Sequence, residues 1–147
     1  MADEQGVQDP RALLQEVVKD ADDDQLTTLA ENLGGVQGFL ELTFEGMKAA
    51  LDSTRAQNVV IGWQIIHGDD VHPYRVVVED GALSWSRGEA DGARVTLRLK
   101  LPNYMRLIAG QLDGMQAFMS GALQVMGDVM FATQIQDMFG VGTAAGP

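Results

Sequence analysis

Cysteine is absent from all 147 residues. That excludes a disulfide-stapled scaffold, a thiolate nucleophile and any thiolate-bound metal or cluster, and it is compatible with a reducing compartment. Positive charge is scarce as well. Ten Lys and Arg against 21 Asp and Glu leave a formal net charge of −11. A surface of that sign repels phosphate backbones, and no basic stripe with interleaved aromatics offsets it, so nucleic acid is excluded as a partner. The same sign opposes lasting attachment to anionic membranes and leaves at most transient contact. No apolar run approaches the ~20 residues that span a bilayer. Residues 1–10 are polar and acidic, with neither a basic start nor an apolar signal segment. These absences lead to the expectation of a soluble, cytoplasmic protein.

The motifs of catalysis are missing too. There is no phosphate loop, no glycine-rich dinucleotide fingerprint, no GxSxG elbow and no HExxH helix. Ser84 and Ser86 lie on the polar face of a strand with no histidine placed to act as base. His67 and His72 flank Asp69 and Asp70, in a spacing that suits a solvated polar turn better than a metal site. Asp22, Asp23 and Asp24 lack the alternating ligands and closing Glu of a calcium loop, and read as a helix cap. The expectation is a chain that is not an enzyme and uses neither cofactor nor metal.

What is present is 46 % hydrophobic, enough for one substantial core. The first third is helical in period. Asp9-Pro10 opens a helix with Leu13, Leu14, Val17 and Val18 on one face, and a second carries Leu26, Leu29 and Leu33. After Gly34-Gly35 a third repeats Val36, Phe39, Leu40, Phe44, Met47 and Leu51. At Gln57 the period becomes two. Val59, Ile61, Trp63 and Ile65 share one face of a strand, then Tyr74, Val76 and Val78. Asp80-Gly81 marks a type I′ hairpin, and Leu83, Trp85 and Arg87 follow it. Val95, Leu97 and Leu99 alternate with Arg94, Thr96, Arg98 and Lys100; those cations form a solvated sheet face or receive an acidic partner or an anionic head group. The spacing predicts an antiparallel meander of these four strands. A helix with Leu101, Tyr104, Met105, Ile108 and Leu112 comes next, then a short helix from Met115 to Met119. A brief strand runs from Leu123 to Met126, and a helix capped by Asp128 runs to Phe139.

Methionine is unevenly spread. Five of the eight lie between Met115 and Met138, in company with Phe118, Phe131 and Phe139. Unbranched thioethers either fill irregular gaps in an ordinary core or line a space that must fit a flexible hydrocarbon. Periodicity is compatible with both.

The segment Leu107 to Asp128 narrows the field. Its Gly110, Gln111, Leu112, Gly114, Ala117, Phe118, Gly121, Leu123, Val125, Gly127 and Asp128 closely resemble the carboxyl-terminal pattern of the sterol carrier protein family, and Val95-Thr96-Leu97 and Ala132 to Met138 also look like that family's. The resemblance covers roughly Val36 to Phe139. It implies an α+β fold, with a five-stranded, mainly antiparallel sheet covered on one face by helices and a hydrophobic tunnel between them. It further implies non-catalytic binding or transfer of sterols, fatty acids, acyl-CoAs or phospholipids, with no cofactor. Carried over by position, the ligand-binding residues are Phe118, Met119, Met130, Phe131, Ile135 and Gln136, with Trp63, Tyr104 and Met105 behind them. The alternative is an accessory domain on the same scaffold, with a filled core and no ligand. The expected division is an N-terminal helical extension at 1–35, a sterol-carrier-like domain at 36–139 and a tail at 140–147. The acidic extension departs from the resemblance and leaves a tunnel cap, a homodimer contact or a simple extra helix pair as its role.

Overall fold

The computed structural model of the chain describes residues 18–52, 54, 57–89, 91–109, 111–132, 134 and 135. Helix α1, Asp23–Asn32, starts on a reciprocal cap. The Gln25 amide donates to Asp22 Oδ1 at 2.8 Å, and the Asp22 amide donates to Gln25 Oε1 at 2.9 Å. Two backbone donors with no helical partner are thus satisfied at once. Helix α2, Gly35–Ala50, buries Val36, Phe39, Leu40 and Phe44, the stripe expected from their spacing. The helix opened at Asp9-Pro10 lies outside the described residues except at its end, where Val18 is buried.

Five strands follow in the order β1 (Val59–His67), β2 (Asp70–Glu79), β3 (Ala82–Arg87), β4 (Val95–Lys100) and, after two helices, β5 (Leu123–Gly127). The β2–β3 turn is Asp80-Gly81, at φ 55° and 79°. Both residues are left-handed, as a type I′ hairpin requires, and Gly carries no Cβ to clash there. The two-residue turn before it is Gly68-Asp69, so His67 and Asp70 are paired strand ends rather than turn residues.

In space the strands lie β3-β2-β1-β4-β5. This corrects the expected four-strand meander: β4 does not pair with β3 but crosses to the far side of β1 and runs parallel to it, Trp63 opposite Leu97. Alternation assigns each residue to a face and says nothing about which strand is its neighbour. The loop at 88–94 makes the crossing possible, since seven residues reach ~23 Å and three strand spacings need only ~14 Å. It passes over the polar face. Glu89 accepts from Gln64 Nε2 at 3.3 Å, and Gln64 Oε1 accepts from Arg98 Nη1 at 2.9 Å. Arg98 is therefore half-covered rather than part of an open cationic face.

The other face is the core. Ile61, Trp63, Ile65, Val76, Val78, Val95, Leu97 and Leu99 are all buried there, under α2 and α3 (Leu101–Ile108). Pro102 sits in the first turn of α3, where no N–H is needed. That helix is shorter than expected, with Leu112 beyond its end in a turn closed by Gln111 N–H on the Arg106 carbonyl at 2.8 Å. Helix α1 is tied to α3 by Arg106, which pairs with Asp23 at 2.7 Å.

Phe44 is the centre of this packing, being fully buried with four rings about it. Phe44→Ala is expected to cost about 3–5 kcal/mol in urea denaturation. Leu42→Ala, on the same helix but 62 % exposed, should cost under about 0.5 kcal/mol. Equal midpoints for the two variants would contradict this account of the core.

Candidate functional site

The polar-tipped aromatics of the core are handled one by one. Phe44 lies 4.8 Å from the Tyr74 ring, 6.0 Å from Tyr104, 6.1 Å from Trp85 and 6.2 Å from Trp63. The Tyr104 hydroxyl and Thr43 Oγ1 are 2.6 Å apart. Tyr74 donates to Glu41 at 3.2 Å, and Trp85 Nε1 donates to Glu45 at 2.7 Å. Arg87 Nε also closes on Glu41. These two carboxylates, four residues apart on α2, dock it along β3. The Arg87 hydrogen bond holds the Glu41 carboxyl below its ordinary range, against the opposing pull of burial. Burial, reinforced by the Glu41 charge, pushes the Tyr74 phenol up to about 12. Burial raises Tyr104 further still. Both phenols are therefore neutral donors at ordinary pH, with no phenolate available as a base. Trp63 Nε1 differs from the rest, buried with no partner.

The methionine-rich end is built on the opposite edge of the sheet. Helix α4, Gly114–Ser120, begins at Asp113, whose carboxylate accepts from the Gln116 amide at 3.0 Å. Ala117 faces the core, while Met115, Phe118 and Met119 form an outward stripe at 45 %, 37 % and 77 % exposure. Gly121 then turns the chain into edge strand β5. No Lys or Arg follows Arg106 anywhere in the sequence. The end is rich in apolar side chains and its only charged residues are Asp113, Asp128 and Asp137.

Helix α5, Val129–Ala132, is locked in place by a residue far away in sequence. Asp128 Oδ1 caps it through the Phe131 amide at 2.9 Å. Asp128 Oδ2 accepts from Arg94 Nε at 2.8 Å, and the Asp128 amide donates to the Arg94 carbonyl at 3.0 Å. The Arg94 guanidinium lies 4.3 Å over the Phe131 ring, a cation–π contact. Gly127 permits the approach: at φ 107°, a Cβ there would lie 2.5 Å from the Arg94 oxygen. Arg94 is thus a clamp on α5 as well as a solvated residue, its side chain remaining 45 % exposed.

The expected ligand-binding residues fall into two groups. Trp63, Tyr104 and Met105 are in the central core, the first two edge to face at 5.5 Å. Phe118 and Met119 on α4 and Met130 on α5 point outward, whereas Phe131 and Ile135 are buried beneath them. Gln136 lies outside the described residues, as does the helix end at Phe139. Two features went unread in the sequence. The Glu41–Glu45 pair was a usable signal, since buried Tyr and Trp tips need partners. The Arg94–Asp128 clamp had none beyond the cap at Asp128. An open groove of ≈ 610 Å³ also runs along α1, lined by Asp20, Asp24 and Leu29 among others. It shares no residue with either group, and its carboxylates suit it poorly to an apolar molecule.

Comparison with known proteins adds the lineage. Residues 39–140 match the SCP-2 sterol transfer family. The chain belongs to that family. Among curated proteins it resembles the mouse (Mus musculus) peroxisomal multifunctional enzyme type 2, at 31 % identity over 81 residues, 54 % of this chain and 11 % of the enzyme. The chain thus spans about a tenth of that relative's length. Two solved structures share the fold. Sterol carrier protein 2 like 2 from Aedes aegypti superposes with a TM-score of 0.57 at 20 % identity, over 70 % of this chain and 98 % of that one. The sec-alkylsulfatase Pisa1 from Pseudomonas sp. gives 0.59 at 21 % identity, over 69 % of this chain and 16 % of that one. The five-stranded α+β architecture of this SCP-2 member is therefore that of sterol carrier proteins, mainly antiparallel with one parallel pair. No helix among its described residues is long and apolar enough to cross a membrane.

The clamp makes a pH prediction. The Phe131 amide, then Arg94, hold the Asp128 carboxyl below its ordinary range. A depressed folded-state value stabilises the protein above the unfolded value, near ~3.9, and that stabilisation is lost as pH falls through the folded one. Asp128→Asn should therefore melt below wild type at neutral pH, with the gap closing at acid pH. A gap that is constant from neutral to acid pH would contradict the charge-based clamp.

Proposed function

We propose that this SCP-2 family member binds, and passes on, a lipid-like apolar molecule without catalysing a reaction on it. The ligand is a sterol, fatty acid, acyl-CoA or phospholipid, held in a tunnel between the helices and the β4–β5 side of the sheet. Phe118, Met119, Met130, Phe131, Ile135 and Gln136 line the approach, and Trp63, Tyr104 and Met105 stand deeper. One observation carries the reading: the end formed by α4, β5 and α5 is rich in Met and Phe and has three side chains more than a third exposed on α4 alone. Soluble proteins seldom leave such surface uncovered without a binding role. Each buried CH₂ contributes ~0.8 kcal/mol, so a long chain reaches micromolar affinity with no polar contact. Met side chains repack around ligands of different shape, which suits broad selectivity. A cytoplasmic location, transient membrane contact and a homodimer form part of the same proposal, as does the division into an extension at 1–35 and a domain at 36–139.

A second reading has its own support. Relatives of the fold carry it as 11 % and 16 % of much longer enzymes. An accessory interaction domain with a filled core fits that setting, and Trp63, Tyr104 and Met105 are buried. It predicts a stable partner and no change in melting temperature with lipid.

Native mass spectrometry of protein purified from cells, together with displacement of a fluorescent fatty acid, separates the two. Co-purified lipid and micromolar competition are expected, and Phe118→Ser should weaken binding about tenfold by removing apolar contact. If no lipid co-purifies and none competes at micromolar concentration, the accessory reading replaces the carrier one.

A further inference from the structure

Of the four polar aromatic tips in the core, three are committed, Tyr104 to Thr43, Tyr74 to Glu41 and Trp85 to Glu45. Trp63, 3 % exposed, keeps an indole N–H with no acceptor. Native cores rarely bury a donor unmet, because its lost water is not replaced.

Its position gives the vacancy a meaning. Across the helix-covered face, Trp63 has Tyr74 of β2 on one side and Leu97 of β4 on the other, and Leu97 in turn faces Val125 of β5. On the β2 side the Tyr74 and Trp85 tips are satisfied, while His72 Nε2, across from Ile65, is also buried without a partner. On the β4–β5 side, Val95, Leu97, Leu99, Leu123 and Val125 offer no hydrogen-bonding side chain at all. A molecule entering from the methionine end along those strands meets Trp63 Nε1 as the first side-chain donor on the sheet. No charged side chain is buried among the described residues, so a carboxylate arriving there would be an unpaired buried charge.

Resting on the carrier reading above, we infer that Trp63 is the polar stop of the site. Its indole N–H receives the acceptor of a neutral, small-headed lipid of the fatty-alcohol or sterol class. The ligand lies head-inward, with its hydrocarbon running out toward Phe118 and Met119. Phospholipids and acyl-CoA, whose charged heads stay in water, do not make this bond. The Nε1 tip is closed to solvent, so the bond forms only as the packing around it yields to the ligand.

Heteronuclear NMR on the full nitrogen-labelled chain tests this, since its two tryptophans give two indole N–H resonances, assigned with Trp85→Phe. The probes are dodecanol, dodecane, dodecanoate and dodecylphosphocholine below its micelle-forming concentration. Dodecanol should move the Trp63 resonance downfield. Dodecane should bind and leave it in place, and dodecanoate should bind more weakly than dodecanol at neutral pH. Trp63→Phe should lower dodecanol affinity roughly fivefold to tenfold and spare dodecane. The inference is overturned if dodecanol binds with the Trp63 resonance unmoved, as an N–H turned onto the Tyr104 ring would give. An equal shift with dodecane or dodecylphosphocholine, or a tighter dodecanoate, overturns it as well. If none of the four probes binds, the carrier reading itself fails and this inference goes with it.

Discussion

The parallel pairing of β4 with β1 is the contact on which the rest of the molecule depends. Parallel neighbours need a crossover, and here a hairpin and a seven-residue loop supply it in place of the usual helix. By placing Val95, Leu97 and Leu99 beside Ile61, Trp63 and Ile65, the pairing completes the apolar face that α2 and α3 cover. It also creates the free edge that β5 occupies. Helices α4 and α5, at either end of β5, take their positions from that strand. Strand β5 and the helices on either side of it are thus assembled on an edge that exists only because β4 crossed over.

The sheet is chemically divided along its width. At the β3 edge, Glu41 and Glu45 of α2 meet Tyr74, Trp85 and Arg87, and every tip there has a partner. These bonds fix β3 to α2, although Ala82, Ser84, Ser86 and Arg87 stay exposed. At the β5 edge most side chains are aliphatic, thioether or phenyl, and the Arg94–Asp128 clamp holds the last helix, with Gln57 donating to Gln134 just beyond it. Few specific bonds and many flexible apolar groups make a surface that can rearrange at small cost. The proposed carrier role calls for that combination of a fixed end and an adaptable one. Trp63 stands on the line between the two.

The acidity of the chain has a consistent geography. Of its carboxylates, Asp22, Asp113 and Asp128 cap helices, and Glu41 and Glu45 dock α2. Many of the others lie in the first third of the sequence, while the methionine end holds Asp128 and Asp137 with no Lys or Arg of its own.

The sequence by itself determined what is decided within a few residues. The Asp22 cap, the Asp80-Gly81 turn, the α2 stripe and the buried alternation of Val95, Leu97 and Leu99 all depend on neighbours no more than four positions away. The pattern around Leu107 to Asp128 is specific enough by itself to point to the family. Tertiary structure alone decided which strand lies beside which, that Arg94 clamps Asp128 across 34 residues, and that one indole in four polar aromatic tips is left without an acceptor. A period of two fixes the face on which a side chain stands. Which groups meet on that face follows from how the loop at 88–94 crosses the sheet, and that path is selected by the burial of the whole apolar surface rather than by any local preference.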